Sequence, residues 1–319
     1  MTVPRTVLSA VAQALHEPSD TAALAVVVDT EGSTYAHAGA MALFGATQGQ
    51  VGWLSGGCLE PDIERRALQA ARDGVLDWMD IDTRDDEDLL AGSAVGCRGR
   101  LHLALWPLAR MPGMLELIHA WQQQRRGLQL VFAADGSISA NVADQQASWK
   151  LPVTGEPTSR EGYRISIAPP PRVLVFGGGP ESPVLLPLLR QLGWQVVLIE
   201  RRPRWRAQGQ FADEAWELSP EEAATRLATD DVVVVMHHHF ELDREALAAL
   251  SAHAPGYLGL LGPSRRRDDL FRVLPAHARE ALRACLRSPV GLPLGGQGAE
   301  AIALSIAAQL QAHRHGVMA

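Results

Sequence analysis

Two cysteines flanked by glycine and one glycine-rich turn carry the residues most able to do chemistry in this chain of 319 residues. The first lies in WLSGGCLEPDIERRAL, Trp53 to Leu68, where Cys58 follows Gly56-Gly57 at the start of a predicted helix. Pro61 suits the first helical position, Asp62 complements the positive helix end, and Ile63, Ala67 and Ala70 recur at helical spacing. Cys58 thus falls just upstream of backbone N–H groups that no helical carbonyl serves. A thiolate is favoured there, the form that attacks electrophiles or binds soft metals. Glu60 and Asp62 offer the same helix end competing charge, and a small apolar residue packed beneath a turn is the plain alternative. Gly96-Cys97-Arg98-Gly99 repeats the arrangement before another strand, with Arg98 placed to stabilise a thiolate.

The glycine-rich turn is Gly177-Gly178-Gly179-Pro180-Glu181-Ser182, after the apolar run Val173 to Phe176. Gly177 and Gly179 allow a sharp turn and close approach of a diphosphate, and the next helix points its positive end at the charge. Glu200 ends the following strand, where an acidic residue commonly binds a ribose hydroxyl. Ser182 replaces the third glycine of the fingerprint and Pro180 removes one N–H. Further along, His237-His238-His239 follow a strand. Alternation puts His237 and His239 on one face with His238 opposite, so a strand-end loop is a better reading than a metal site, with Asp243 starting the next helix. Ser264, Arg265, Arg266 and Arg267 could bind an anion or merely open a solvated helix, and Gly295-Gly296 permits close backbone approach before another helix.

These residues need elements to hold them. A helix is predicted over Val3 to Leu15, then strands in AALAVVVDTEG and Val75 to Ile81, and one with Leu101, Leu103 and Leu105 on a single buried face. Residues 111–170 give one helix (Met114 to Gln124) and a hairpin-like stretch, and read as a connecting segment up to the stiff Pro169-Pro170-Pro171. From residue 171 a strand–turn–helix–strand unit begins. DDVVVVM, GYLGLLG and SPVGLPLGG supply further apolar strands, alternating with helices over Asp243 to His253 and Gly298 to His313. The expected fold is α/β: an N-terminal α/β domain over 1–110, the connection, and a Rossmann-like, doubly wound parallel-sheet domain over 171–319.

Composition removes several function classes. A formal net charge of -7 gives no general attraction to nucleic acid or to an anionic membrane. Cys58, Cys97 and Cys285 are too far apart for a zinc finger or a disulfide framework. Ala10-Val11-Ala12 imitates a signal-peptidase site behind too short an apolar stretch, and no run is long enough to cross a bilayer. A soluble, cytoplasmic protein with reduced thiols is expected.

Taken together, GSTYAHAGAMAL, LSGGCLEPDI, VGCRG, VVVVMHHHFELDREAL, GYLGLLGPSRRR and PVGLPLGGQGAEAIALSIAAQL resemble the XdhC family over nearly the whole chain. These are the accessory factors of xanthine dehydrogenase and related molybdenum hydroxylases. Against the family's pattern, Tyr35-Ala36 stand for Pro-Arg, Arg98 for glycine, Pro180 and Phe240 for histidines and Pro293 for aspartate, and Pro263 looks inserted. The resemblance implies a cofactor-handling N-terminal domain in a chaperone, a maturation factor rather than a turnover enzyme. It would bind molybdenum cofactor (molybdopterin or its cytosine dinucleotide form), protect it, and pass it to an apo-hydroxylase such as xanthine dehydrogenase or aldehyde oxidoreductase. It further implies a homodimer and contacts with a cysteine desulfurase or a cofactor nucleotidyltransferase. Under it, Gly56, Gly57, Cys58, Gly96, Cys97, Arg98, Gly177, Gly179, Glu200, His238, Ser264, Arg265, Gly295 and Gly296 become the cofactor-binding candidates, and Cys58 and Cys97 the ligands of the metal. The residues themselves leave open an NAD(P)-dependent oxidoreductase, with His238 as the evident acid or base, and a pure interaction protein.

Overall fold

The computed structural model describes residues 4–16, 21–47, 49–84 and 98–317. Its elements divide at the proline run into two units, Met1–Pro170 and Pro171–Ala319. Gly96 and Cys97 of the second cysteine turn lie outside the described residues.

In the first unit, α1 (Pro4–His16) precedes β1 (Ala23–Gly32), β2 (Met41–Ala46) and β3 (Gly49–Val51), and α2 (Glu60–Asp73) leads to β4 (Leu76–Asp82) and β5 (Gly99–Pro107). After α3 (Met114–Gln124) come β6 (Leu128–Phe132), β7 (Ser137–Val142), β8 (Gln145–Lys150), β9 (Val153–Thr154) and β10 (Tyr163–Ile167). Sheet order is β3-β2-β1-β5-β4-β9 in one sheet and β10-β6-β7-β8 in the other. The larger sheet is buried on both faces. Ala23, Ala25, Val27, Leu103 and Leu105 face α2 through Ile63, Ala67 and Ala70. The opposite face, with Val26, Ala104 and Trp106, packs on α1, α3 and the smaller sheet.

Two expectations change here. Strand β5 hides both faces, because its alternate positions Ala104 and Trp106 fill a second core rather than meeting water. Residues 111–170 form α3 and five strands: β9 pairs with β4, while Phe132 lies edge-on to both Trp78 and Trp106 of the larger sheet. A linker reading fails to see this, since the apolar partners of α3 and β6 are distant in sequence.

The second unit contains β11 (Arg172–Phe176), α4 (Ser182–Gln191), β12 (Gln195–Ile199), β13 (Glu214–Trp216), α5 (Pro220–Ala224), β14 (Val232–Val235), α6 (Phe240–Leu250), β15 (Tyr257–Leu260), α7 (Ser264–Val273), α8 (Ala276–Arg283), β16 (Leu286–Arg287) and α9 (Ala299–Arg314). All strand pairs are parallel, in the order β13-β12-β11-β14-β15-β16. This is the doubly wound dinucleotide-binding order. Helices α4 and α9 cover one face, and α6, α7 and α8 the other. The continuous valines of β14 follow from burial on both sides. The strand expected in SPVGLPLGG is instead Leu286–Arg287, because Pro289 lacks the N–H that would extend a ladder. Helix α6 begins at Phe240, not Asp243, because His239 caps it.

Truncating Phe132 to Ala should cost about 3–5 kcal/mol, the usual loss for a buried aromatic. Urea unfolding of the first unit measures it, and a loss within ~0.5 kcal/mol would restore residues 111–170 to the status of a linker.

Candidate functional site

The turn that carries Cys58 is built around a buried carboxylate. Glu60, the first residue of α2, folds back under the turn. Its Oε1 accepts the N–H groups of Leu54 (2.9 Å) and Ser55 (2.8 Å), and its Oε2 accepts the Gly57 N–H (2.8 Å) and the Ser55 hydroxyl. The Leu59 N–H donates to Ser55 Oγ at 2.9 Å. Burial alone would raise this carboxyl, but the Ser55 hydroxyl and the amides outweigh it and hold Glu60 below its ordinary range. The local sequence dictates the shape, since Gly56 and Gly57 adopt φ of 77° and 111°, where a side chain is strained.

On this frame the Cys58 side chain is exposed, its thiol donating weakly to the Ser55 carbonyl at 3.3 Å. Cys285, the other described cysteine, is buried, its thiol pushed up by desolvation and directed at the Leu282 carbonyl. It is a packing residue. Two further segments meet the turn. Tyr35 lies over Gly56, so that a Cβ there would come within 3.3 Å of the ring, and Trp53 lies by Gly57, 3.8 Å from where a Cβ would stand. Gly99 presses against Thr34 and Ser33, and the Ser33 N–H donates to the Arg98 carbonyl at 3.1 Å. Arg98 itself is exposed. Thr34, Tyr35, Ser55, Leu59, Thr83 and Gly99 line a crevice between these segments, of about 10 Å³, the room one water needs.

The second unit repeats the device. Gly177 has φ of 100° and no room for a Cβ, which would sit 2.6 Å from His237. The Gly178 N–H donates to Glu200 Oε2 at 2.7 Å, and the Gly179 N–H to Ser182 Oγ at 3.0 Å. Glu200 is buried and held by Arg202, whose guanidinium also donates to the His237 and Gly178 carbonyls. Its carboxyl is depressed because Arg202 and the amides outweigh the desolvation that would raise it. Glu181, buried at the start of α4, pairs with His238 Nε2 at 2.9 Å. The Glu181 bond raises His238 above the ordinary histidine range, and His238 lowers Glu181 against its burial.

The three histidines therefore serve three separate purposes. His237 Nδ1 bonds Asp243 at 3.0 Å, His238 bonds Glu181, and His239 caps α6 by accepting the Leu242 N–H. Asp243 lies in the first turn of α6, as an N-terminal residue of the helix, but the cap is His239. It is fully buried, accepting from the His237 N–H and from Arg266 (2.6 Å). Among the described residues no three His, Cys, Asp or Glu side chains converge as metal ligands. Ser264 and Arg265 are exposed at the start of α7, and it is Arg266 that turns inward. Gly295 and Gly296 have positive φ in an exposed loop, and nothing lies within 4 Å of a Cβ placed at Gly295. Sequence reasoning missed Glu60 as turn filler and Tyr35, Trp53, Glu181 and Arg202 as site residues. A carboxylate three residues after a Gly-Gly pair was the available signal for Glu60, whereas the others needed the third dimension.

Together these features define a two-unit protein with a doubly wound unit whose glycine-turn amides donate to Glu200 and Ser182, and with an accessible thiol on the other unit. Comparison with known proteins gives that class a family. Residues 173–310 match the XdhC Rossmann domain and residues 15–78 the XdhC and CoxI family, so the chain belongs to the XdhC family. It is 28% identical to a probable xanthine dehydrogenase subunit of Bacillus subtilis, over 93% of this chain and 94% of that one. It is 23% identical to the molybdenum cofactor insertion chaperone PaoD of Escherichia coli, over 97% and 88%. A crystal structure described as a xanthine dehydrogenase from Bacillus halodurans superposes with a TM-score of 0.77 at 26% identity, covering 98% of this chain and 97% of that one. No helix among the described residues is long and apolar enough to cross a membrane.

Two outcomes are expected. Glu60→Ala leaves buried donors without an acceptor, which costs about 1–3 kcal/mol each, and urea titration should show a loss of at least that size. Because the Glu60 carboxyl is depressed, its contribution is complete at neutral pH and fades as pH falls through its folded midpoint. His238 has the opposite sign: its pairing stabilises at low pH and is lost as pH rises through its raised midpoint. Glu181→Gln should move the His238 midpoint down, read from the imidazole resonances by NMR, and an unmoved midpoint would show that the pair does not form in solution.

Proposed function

We propose that this protein is an accessory factor of a molybdenum hydroxylase that binds molybdenum cofactor on its first unit and hands it to the apo-enzyme. The observation that carries this reading is the exposed Cys58 thiol on a turn held rigid from beneath by Glu60. A sulfur donor suits a metal that the cofactor itself holds through dithiolene sulfurs. Thiol, glycine turn and flanking rings fit the cofactor's metal and heterocycle. They do not fit its phosphate, since Glu60 already takes the amides that an anion would use. What the chain supplies is a fixed sulfur and an exposed rim from which the cargo can leave. Cys97 and Arg98 belong to the same proposal by the likeness of their sequence to that of the first turn. PaoD, a cofactor insertion chaperone by name, supports the carrier role. A homodimer in the cytoplasm, served by a cysteine desulfurase or a cofactor nucleotidyltransferase, completes the reading.

An NAD(P)-dependent oxidoreductase fits the second unit poorly. Gly178 and Gly179 point their amides at Glu200 and Ser182, Pro180 has none, and Glu200 is clamped by Arg202 away from any ribose. Gly177, Gly179, Glu200 and His238 are accordingly assigned to holding the turn shut. Ser264, Arg265, Gly295 and Gly296 have no ligand role in this reading.

The protein purified from cells that make the cofactor should release a fluorescent pterin on oxidation and contain molybdenum. Cys58→Ser should reduce the retained metal about tenfold, in the range seen when a metal site loses a supporting group. Unchanged retention and full activation of the client by that variant would remove Cys58 from the site. NAD+ and NADPH should give no heat of binding in calorimetry.

A further inference from the structure

We propose that His238 is a phosphoryl-accepting residue of the second unit, taking the group on Nδ1 from a small acyl phosphate while Glu181 supports the ring from behind. This goes beyond the carrier reading and does not rest on it. Of the three consecutive histidines, two are committed: His237 is buried with Nδ1 bonded to Asp243, and His239 uses Nδ1 to cap α6. The His238 side chain is 45% exposed, whereas that of Glu181, bonded to its Nε2 at 2.9 Å, is 4% exposed. A Cβ at Gly179 would stand 3.2 Å from His238 Cδ2 and 3.4 Å from Nε2. That edge of the ring therefore lies over the turn, and the opposite edge, with Nδ1, is the one left outward. Among the described residues Nδ1 accepts and donates no hydrogen bond; the ring is held through Nε2 alone. The backbone is strained here as well, with φ of 54°, a left-handed conformation that a non-glycine residue enters at a cost and that recurs at functional sites.

Glu181 decides which nitrogen reacts. Its carboxyl lies below the ordinary range, so it is ionised at neutral pH and can only accept. Nε2 therefore carries the hydrogen, and in the neutral ring Nδ1 holds the lone pair. That pair attacks phosphorus: the N–P bond forms as the bond from phosphorus to the acyl oxygen breaks, and the carboxylate leaves with those electrons. Nε2 keeps its hydrogen, so the product ring is a phosphoimidazolium whose positive charge rests against Glu181. The other charged groups acting on the ring are Asp243 of α6 and Arg266 of α7, and they act in opposite directions. Phosphoryl transfer suits these surroundings better than acyl transfer. An acyl adduct passes through an oxyanion that needs N–H donors, and the Gly178 and Gly179 amides already donate to Glu200 and Ser182. A phosphoryl group is stabilised by positive potential. His238 is bonded to the residue that precedes α4 and lies two residues ahead of α6, by the positive ends of both helices.

The test incubates the full-length protein with acetyl phosphate and maps the label by mass spectrometry at alkaline pH, where N–P bonds survive. His238 should be labelled at least about tenfold faster than any other histidine, as expected of a nucleophile with an oriented partner. His238→Asn, a residue that tolerates positive φ, should remove the label from the peptide it shares with His237 and His239. Glu181→Gln keeps the shape and a hydrogen bond but loses the charge. It should slow labelling about tenfold at high pH, where the ring is neutral, because a charge-assisted bond becomes an ordinary one. It should also move the rise of rate with pH to lower pH, since the bond that lifts the His238 midpoint is weakened. A merely structural Glu181 would leave that profile in place. Label spread evenly over the histidines, no label at His238, or a Glu181→Gln rate and profile matching the parent would each overturn the assignment. The first two are read from the parent protein alone, so the outcome does not hang on whether a variant folds.

Discussion

A buried carboxylate that accepts the amides of a glycine turn is the interaction on which both halves of this molecule depend. Glycine turns expose several N–H groups to one point, and such a point must hold an anion, a water or a carboxylate. Here Glu60 fills the first turn and Glu200 the second, each below its ordinary protonation range because donors surround it. Filling the turn internally removes the need for a ligand to stabilise it. It also occupies amides that the glycines would otherwise leave open.

In the second unit the consequence is a closed carboxyl edge. Glu200 with Arg202, Glu181 with His238, and Asp243 with His237 and Arg266 tie β11, β12, β14, α4, α6 and α7 together where a nucleotide would otherwise lie. Burying three carboxylates is costly unless each is paired and hydrogen-bonded, and each is. The doubly wound sheet survives as a scaffold, and its shape alone says nothing about turnover.

In the first unit the same device has a different outcome, because residues around the turn remain at the surface. The Glu60 frame fixes Cys58 without covering it, and Tyr35 and Trp53 lie by Gly56 and Gly57 of the same turn. Arg66 grips Asp77 through two hydrogen bonds (2.9 and 2.6 Å), so α2 cannot drift from β4 and carry the turn with it. Rigidity from below with exposure above suits the proposed carrier role, in which cargo is oriented yet released.

Much of this was legible in the order of residues. Continuous valine runs announced a parallel sheet, the glycine turn marked its first crossover, and Gly56-Gly57-Cys58 before Pro61 marked an unusual helix start, because these patterns act within a few residues of one another. Tertiary structure alone decided the rest. That Phe132 joins two sheets, that His238 turns to Glu181, and that Glu200 accepts the Gly178 N–H are contacts between residues far apart in the chain. Periodicity reports which way a side chain faces along its own element. It carries no information about which distant group arrives to neutralise it, and in this protein that arrival gives the amides of both glycine turns their acceptors.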